Sequence, residues 1–350
     1  MQQNPSISRI LITIASIVII LAGVKLATEI IIPFLLSLFI AIICSPIIKL
    51  MTDRKVPLWL AITLLFVLFI LVSFFLAGLI NSTIREFTLS IPSYKILLAQ
   101  RISDLLQFAE KWGIPLSVSR ESIMNELDPS RIMNLVTSLL LSFSGVVTNI
   151  FVLLLVVVFM LFEAPTAKHR LAMVLSRNRE NVAAQEIHIN RIIQGVIGYL
   201  GVKTVVSLLT GLSIWLLLEA FGVQYAVLWA TLSFLLNYIP NIGSILAGVP
   251  IVVQALLLNG FSVGFGVAIG VMAINMVIGN VLEPRMMGRT LGLSTLVVFL
   301  SLLFWGWILG TVGMLLSVPL TMVLKIALES SPSTVHYALL LGDVPEDKLP

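Results

Sequence analysis

Asn237, Asn241 and Ser244 lie close together in NYIPNIGSILAGVP (237–250), a stretch that also carries Tyr238, Pro240, Gly243 and Pro250. Amides and hydroxyls are hydrogen-bonding groups rather than nucleophiles or acids. Here they interrupt a strongly apolar region, where irregular backbone survives only if it is buried in protein or lines a water-filled cavity. Two readings compete: the side chains hold a small polar solute, or they satisfy their own broken backbone through Asx-type bonds. A second polar series, Asn275, Asn280 and Glu283, runs through the apolar stretch 261–283. Asn280 and Glu283 are three apart and share a helix face. A carboxyl there could carry a coupling proton if burial favoured its neutral form. Alternatively Glu283, just before Pro284 and Arg285, marks a helix end and pairs with an arginine. Lys203, one turn into the run 197–219, is expected to snorkel to the interface.

No catalytic residues are expected. GFSVG (260–264) spells a nucleophile-elbow pattern but opens an apolar helix, and the histidines, His169, His188 and His336, are predicted on the other side of the membrane. GFGVAIG (264–270) has the wrong last spacing for a dinucleotide loop and follows no strand. Gly266–Gly270 and Gly306–Gly310 have the spacing of close helix packing. No metal-ligand cluster, nucleotide-binding lysine motif or cofactor site is legible. Cys44, the single cysteine, reads as a small core hydrophobe.

The elements that must position these residues are membrane helices. The 350 residues are 59% hydrophobic and 11% charged, against about a quarter charged in soluble chains. The apolar runs are long and continuous, unlike the alternating strands of a barrel. A net charge of +4, scattered along the chain, gives no indication of nucleic-acid binding. The fold class is therefore an all-α polytopic membrane protein in a lipid bilayer. Residues 1–81 hold three helices from the runs 10–24, 30–46 and 58–81. The run 10–24 leads into the next with no cleavage site, so it reads as a retained helix. Lys25 and Glu29 can pair, and Pro33 suits a first helical turn. Residues 82–140 carry six Lys/Arg and six Asp/Glu and read as an amphipathic helical subdomain outside the cytoplasm. Residues 141–195 hold a span (141–163) and a basic segment with Lys168, Arg170, Arg177 and Arg179. Residues 196–328 form the core, with blocks 225–258 and 294–328, and 329–350 a cytoplasmic tail. The positive-inside rule puts KLMTDRK (49–55), the basic segment and both termini in the cytoplasm.

The core contains a repeat. Blocks 225–258 and 294–328 are each too short for two spans: about 12 residues on either side of a break give roughly 18 Å of helix against a core of ~30 Å. At a shift of 69, LSFLLNYIPNIGSILAGVPIVV (232–253) lies over SLLFWGWILGTVGMLLSVPLTM (301–322), with Pro250 over Pro319. Each block reads as a re-entrant helical hairpin, and the one span between them makes the second enter from the opposite face. The expectation is six transmembrane helices plus two hairpins, eight hydrophobic segments forming an inverted repeat. Paired broken helices of this kind point to a transporter's binding site.

NYIPNIGSILAGVP, followed by GNVLEPRMMGRTLGLSTLVVFLSLLFWGWILGTVGMLLSVPLTMVLKIALE, resembles the autoinducer-2 exporter (AI-2E) family. KLATEIIIPFLLSLFIAI and LLLVVVFMLFEAP (153–165) extend the resemblance over nearly the whole chain. Many relatives have His-Pro where this chain has Ser294-Thr295. The resemblance implies export of autoinducer-2 from a bacterial inner membrane, a homopentamer and an elevator-like mechanism. Such a hydroxyl-rich solute needs amide and hydroxyl partners and aromatic faces. Asn237, Asn241, Ser244 and Thr311 supply the former, and Tyr238, Trp305 and Trp307 the latter. Pro240, Gly243, Pro250, Gly306, Gly310, Gly313 and Pro319 would shape the hairpins. Plain packing or interfacial anchoring is the other reading of the tryptophans. The family also contains members regarded as sodium/proton antiporters. A cation antiporter, a non-transporting scaffold and a channel are the alternatives. The antiporter is disfavoured by hairpin tips without ionisable residues.

Overall fold

The computed structural model describes residues 7–76, 78, 97, 100, 103, 150–175, 182–240, 242–287, 292–329 and 334–342. The expected subdomain at 82–140 lies almost wholly outside them, as do Asn241, Arg177 and Arg179. The described regular structure is helical: α1 Ile7–Leu26, α2 Thr28–Asp53, α3 Leu58–Leu76, α4 Ile150–Leu175, α5 Val182–Ala220, α6 Ala226–Leu236, α7 Ile242–Asn259, α8 Phe261–Met287, α9 Thr295–Glu329 and α10 Val335–Leu341. No strand occurs among the described residues, only an isolated bridge between Leu293 and Gly342. Apolar runs become helices because a backbone in lipid must satisfy its polar groups within its own segment. Among the described residues, six helices are long and apolar enough to cross a membrane (α2, α3, α5, α7, α8 and α9), and α4 adds a pair of helices bent by 74° on either side of Pro165. At 11 residues, α6 is roughly 16 Å long and falls short of a span. Pro33 lies inside α2, which starts at Thr28, rather than in a first turn.

The chain gathers into two compact units. One comprises Met1–Phe66, Phe151–Gly201 and Arg289–Pro350. In it α1 and α2 pack on α9. The buried Ser37 hydroxyl donates to Leu153 O at 3.0 Å, tying α2 to α4. Lys25 Nζ sits 4.1 Å from the centre of the Trp307 ring, and no Lys25–Glu29 pair is among the described ion pairs. Lys325 bonds Gly292 O at 2.5 Å and lies 3.6 Å from Glu329, which Arg191 approaches at 3.9 Å. Within α9 the chain turns back at Gly310, whose φ of 64° and ψ of −148° belong to no helix. The Trp305 Nε1–H donates to Thr321 Oγ1 at 3.0 Å. Sixteen residues of continuous helix would hold those groups about 24 Å apart, so the arms on either side of Gly310 lie against each other.

The other unit comprises Val67–Ile150 and Val202–Gly288. Here α6 and α7 pack together across the turn at 237–240, and α8 packs on α7. Trp229, fully buried, donates its Nε1–H to Gln254 Oε1 at 2.9 Å, and Gln254 donates in turn to Gln224 O at 2.9 Å. That chain clamps the two arms of the hairpin. Gly266 and Gly270 sit so near the ends of Phe221 and Leu217 that an added Cβ would come within 2.6 and 2.4 Å. This is the close packing their spacing predicts.

Candidate functional site: a polar cavity beside the first broken helix

Gly243 lets the hairpin form. A Cβ there would lie 1.8 Å from Leu236 O, so only glycine lets the start of α7 cross the end of α6 this closely. Pro240 sits in the turn, where Ile242 N–H reaches Pro240 O and Gly243 N–H reaches Ile239 O. The polar side chains are thereby gathered beside α5 and α8. The Asn237 Nδ2–H donates to Ser207 Oγ at 3.0 Å, and Tyr238 Oη–H to Thr204 Oγ1 at 2.8 Å. Tyr238 also meets Phe234 edge to face, with ring centres 5.7 Å apart.

Opposite the hairpin, Asn275–Leu282 of α8 is a π-helix, closed by the Glu283 N–H bonding Ile278 O five residues back. Runs of this kind are rare and concentrate at functional sites. The π segment and the hairpin flank a cavity of about 760 Å³, open on one side and lined among others by Asn237, Pro240, Ser244, Asn275, Asn280 and Glu283. Its size is that of a small-molecule site, apolar with a few convergent polar groups.

At one end of this cavity stands an ion pair. Lys203 Nζ bonds Glu283 Oε1 at 2.5 Å, with side-chain exposures of 3% and 18%. This corrects two expectations. Lys203 does not snorkel, and Glu283 pairs with a lysine 80 residues away in sequence, while Arg285 is exposed. An ammonium and a carboxylate withdrawn from water cost several kcal/mol each unless they meet. α5 and α8 bring them to the same place, which decides the matter.

The structure thus brings together Asn237, Pro240, Ser244, Asn275, Asn280 and Glu283, and adds Lys203, which sequence reasoning missed. The signal for Lys203 was a lone lysine inside one span and a lone glutamate near the end of another. Tyr238 is nearby, but its hydroxyl and ring are engaged with Thr204 and Phe234. Gly243 and Pro250 shape the hairpin, with Pro250 buried inside α7. Trp305, Trp307, Thr311, Gly306, Gly310, Gly313 and Pro319 belong to the other unit. Trp305 is bonded to Thr321, while Trp307 and Thr311 are exposed. A Cβ on Gly313 would lie 2.0 Å from Trp305 O, a crossing like that of Gly243 on Leu236.

A set of membrane helices bearing a partly polar cavity of solute size is the architecture of a membrane transport protein. The chain belongs to the AI-2E family transporter family, whose profile matches residues 14–333. A candidate transport protein of Haemophilus influenzae is 70% identical over 348 residues, covering 99% of this chain and all of that one. The AI-2 transport protein TqsA of Escherichia coli is 44% identical over 336 residues, 96% of each chain. The candidate transport protein YhhT of Escherichia coli is 40% identical over 342 residues, 97% of this chain and 96% of that one.

Proposed function

We propose that the protein is a secondary transporter that exports autoinducer-2 or a related small polar solute across the bacterial inner membrane. The observation that carries this reading is the cavity of about 760 Å³, where Asn237, Ser244, Asn275 and Asn280 supply hydrogen-bonding groups around an apolar wall. The solute comes from the 44% identity to TqsA along nearly the whole chain. Hydroxyls of the solute bind the amides, and its carbon skeleton lies on Val249, Val252 and Met272. The cavity's charges are paired with each other, which suits an uncharged cargo.

In this reading α6–α7 and the two arms of α9 are re-entrant hairpins of an inverted repeat. The unit bearing the cavity moves in an elevator-like cycle driven by a gradient, within a homopentamer. Both termini are cytoplasmic. A second reading, a sodium or lithium/proton antiporter on the same scaffold, is favoured by one observation: the ionisable Glu283 lines the cavity. A non-transporting scaffold leaves the polar cavity without a role.

The test is flux in proteoliposomes under an imposed pH gradient, comparing autoinducer-2 with Na⁺ and Li⁺. Autoinducer-2 flux is expected, and Asn237→Ala lowers it about tenfold, in line with the loss of a hydrogen bond of about 1–1.5 kcal/mol. Cation flux alone selects the antiporter and ends the export reading.

A further inference from the structure

α4 changes direction at Pro165. Proline has no N–H to continue the helix ladder, and the arms Ile150–Ala164 and Thr166–Val174 stand at 74° to each other. The first arm carries exposed Phe159 and Phe162, as a helix facing lipid does. An arm at 74° to a membrane span runs close to the membrane plane. One face of this second arm is held by the protein. Ala172 is fully buried, and His169 Nδ1 lies 2.7 Å from Glu186 Oε1 of α5.

The face turned away from Ala172 carries a pattern. Ala167, Leu171 and Val174 follow one another at steps of four and three and so form one stripe. Leu171 is 49% exposed and Val174 81%. By helical position Arg170 borders the stripe on one side and Lys168 on the other. Arg170 also meets Glu163 at 2.6 Å, but both side chains are exposed and a surface pair of this kind contributes little. A guanidinium has five N–H donors, so others stay available. An apolar stripe edged by Lys and Arg is the pattern of a helix lying in the boundary between lipid headgroups and acyl chains. The stripe follows directly on the exposed Phe159 and Phe162 of the first arm, and cations at that depth meet headgroup phosphates. Near an anionic leaflet each of them favours the surface by about fivefold.

We propose that Thr166–Val174 is an in-plane anchor: it lays Ala167, Leu171 and Val174 into the membrane boundary and binds the phosphates of anionic phospholipid headgroups through Lys168 and Arg170. The leaflet is the one at that end of the span, the cytoplasmic one in the orientation that the charge pattern gives. The anchor shares no residue with the large cavity and stands whichever solute that cavity takes.

The experiment uses the full-length protein carrying Val174→Cys, labelled with an environment-sensitive fluorophore. It is reconstituted in vesicles of phosphatidylcholine alone or of phosphatidylcholine with phosphatidylglycerol. Cys44 is buried, so the label reports the arm. With phosphatidylglycerol the emission is expected to shift to the blue and to be quenched by nitroxide-bearing lipid, more strongly than in phosphatidylcholine alone. Lys168→Gln with Arg170→Gln is expected to move the balance from lipid-buried toward water-exposed label by about fivefold or more. Lys168→Arg with Arg170→Lys, which keeps both charges, is expected to retain the response. Should Val174→Cys fail to fold, Leu171→Cys carries the label. A water-like emission in both vesicles overturns the proposal. So does equal burial in both, which means apolar insertion without headgroup recognition. A blue shift that lipid-borne nitroxide does not quench means that a second copy of the chain covers the stripe, and it overturns the proposal too, as does a response that the double Gln variant leaves unchanged. None of these results bears on whether autoinducer-2 is carried.

Discussion

Lys203 and Glu283 show what a membrane interior does to a single residue. Each side chain is ordinary at a surface, where an ion pair contributes little. At 3% and 18% exposure, either charge left alone is costly. Lys203→Met strands the carboxylate and is expected to destabilise the protein by about 3–5 kcal/mol. Adding Glu283→Gln to it recovers most of the loss, because the pair is removed together. A double-mutant cycle by thermal unfolding in detergent measures this, and additive losses would show that the two side chains do not depend on each other. Asn237, Ser244, Asn275, Asn280 and Glu283 were legible in the sequence because polar residues stand out in an apolar run. Lys203 as the partner of Glu283 was not, since nothing local links positions 80 apart in sequence. The engagement of Tyr238 with Thr204 was hidden for the same reason.

At the scale of the element, the two breaks were legible, and their geometry was not. Proline and glycine in NYIPNIG announce that α6 stops. That the end of α6 and the start of α7 touch through Gly243 follows only from the backbone path. In the second block the break narrows to Gly310, and Trp305 reaches Thr321 across it. Gly243→Ala and Gly313→Ala each drive a methyl into a backbone carbonyl, at 1.8 and 2.0 Å. Both are expected to cost more than about 3 kcal/mol or to prevent folding, since backbone does not yield as a side-chain tip does. Gly198→Ala meets nothing within 4 Å and is expected to be neutral or to stabilise by up to about 1 kcal/mol. Yields and unfolding midpoints of the three variants check the contrast. The π run Asn275–Leu282 has no sequence signature, because its residues would serve equally well in an α-helix.

For the molecule as a whole, composition alone fixed the class, and the charge pattern gave an orientation. KLMTDRK faces the cytoplasm in that scheme and the end of α5 faces outward. Cys44 is buried, so the wild-type chain is a quiet background for labelling. Asp53→Cys, at an exposed position, is expected to react with a membrane-impermeant maleimide only after the cell is opened. Glu219→Cys, also exposed, reacts in intact spheroplasts. The reverse pattern would invert the topology and with it the direction assigned to every element.

The tie between Lys203 and Glu283 has an electrical consequence. Moving one elementary charge through a membrane potential involves about 2.3 kcal/mol per 100 mV. Two opposite charges held 2.5 Å apart travel as a short dipole, and the field does almost no net work on them. Whatever excursion α5 and α8 make together, voltage neither drives nor resists it through this pair. Any steepness in a current–voltage curve therefore comes from charges other than this pair.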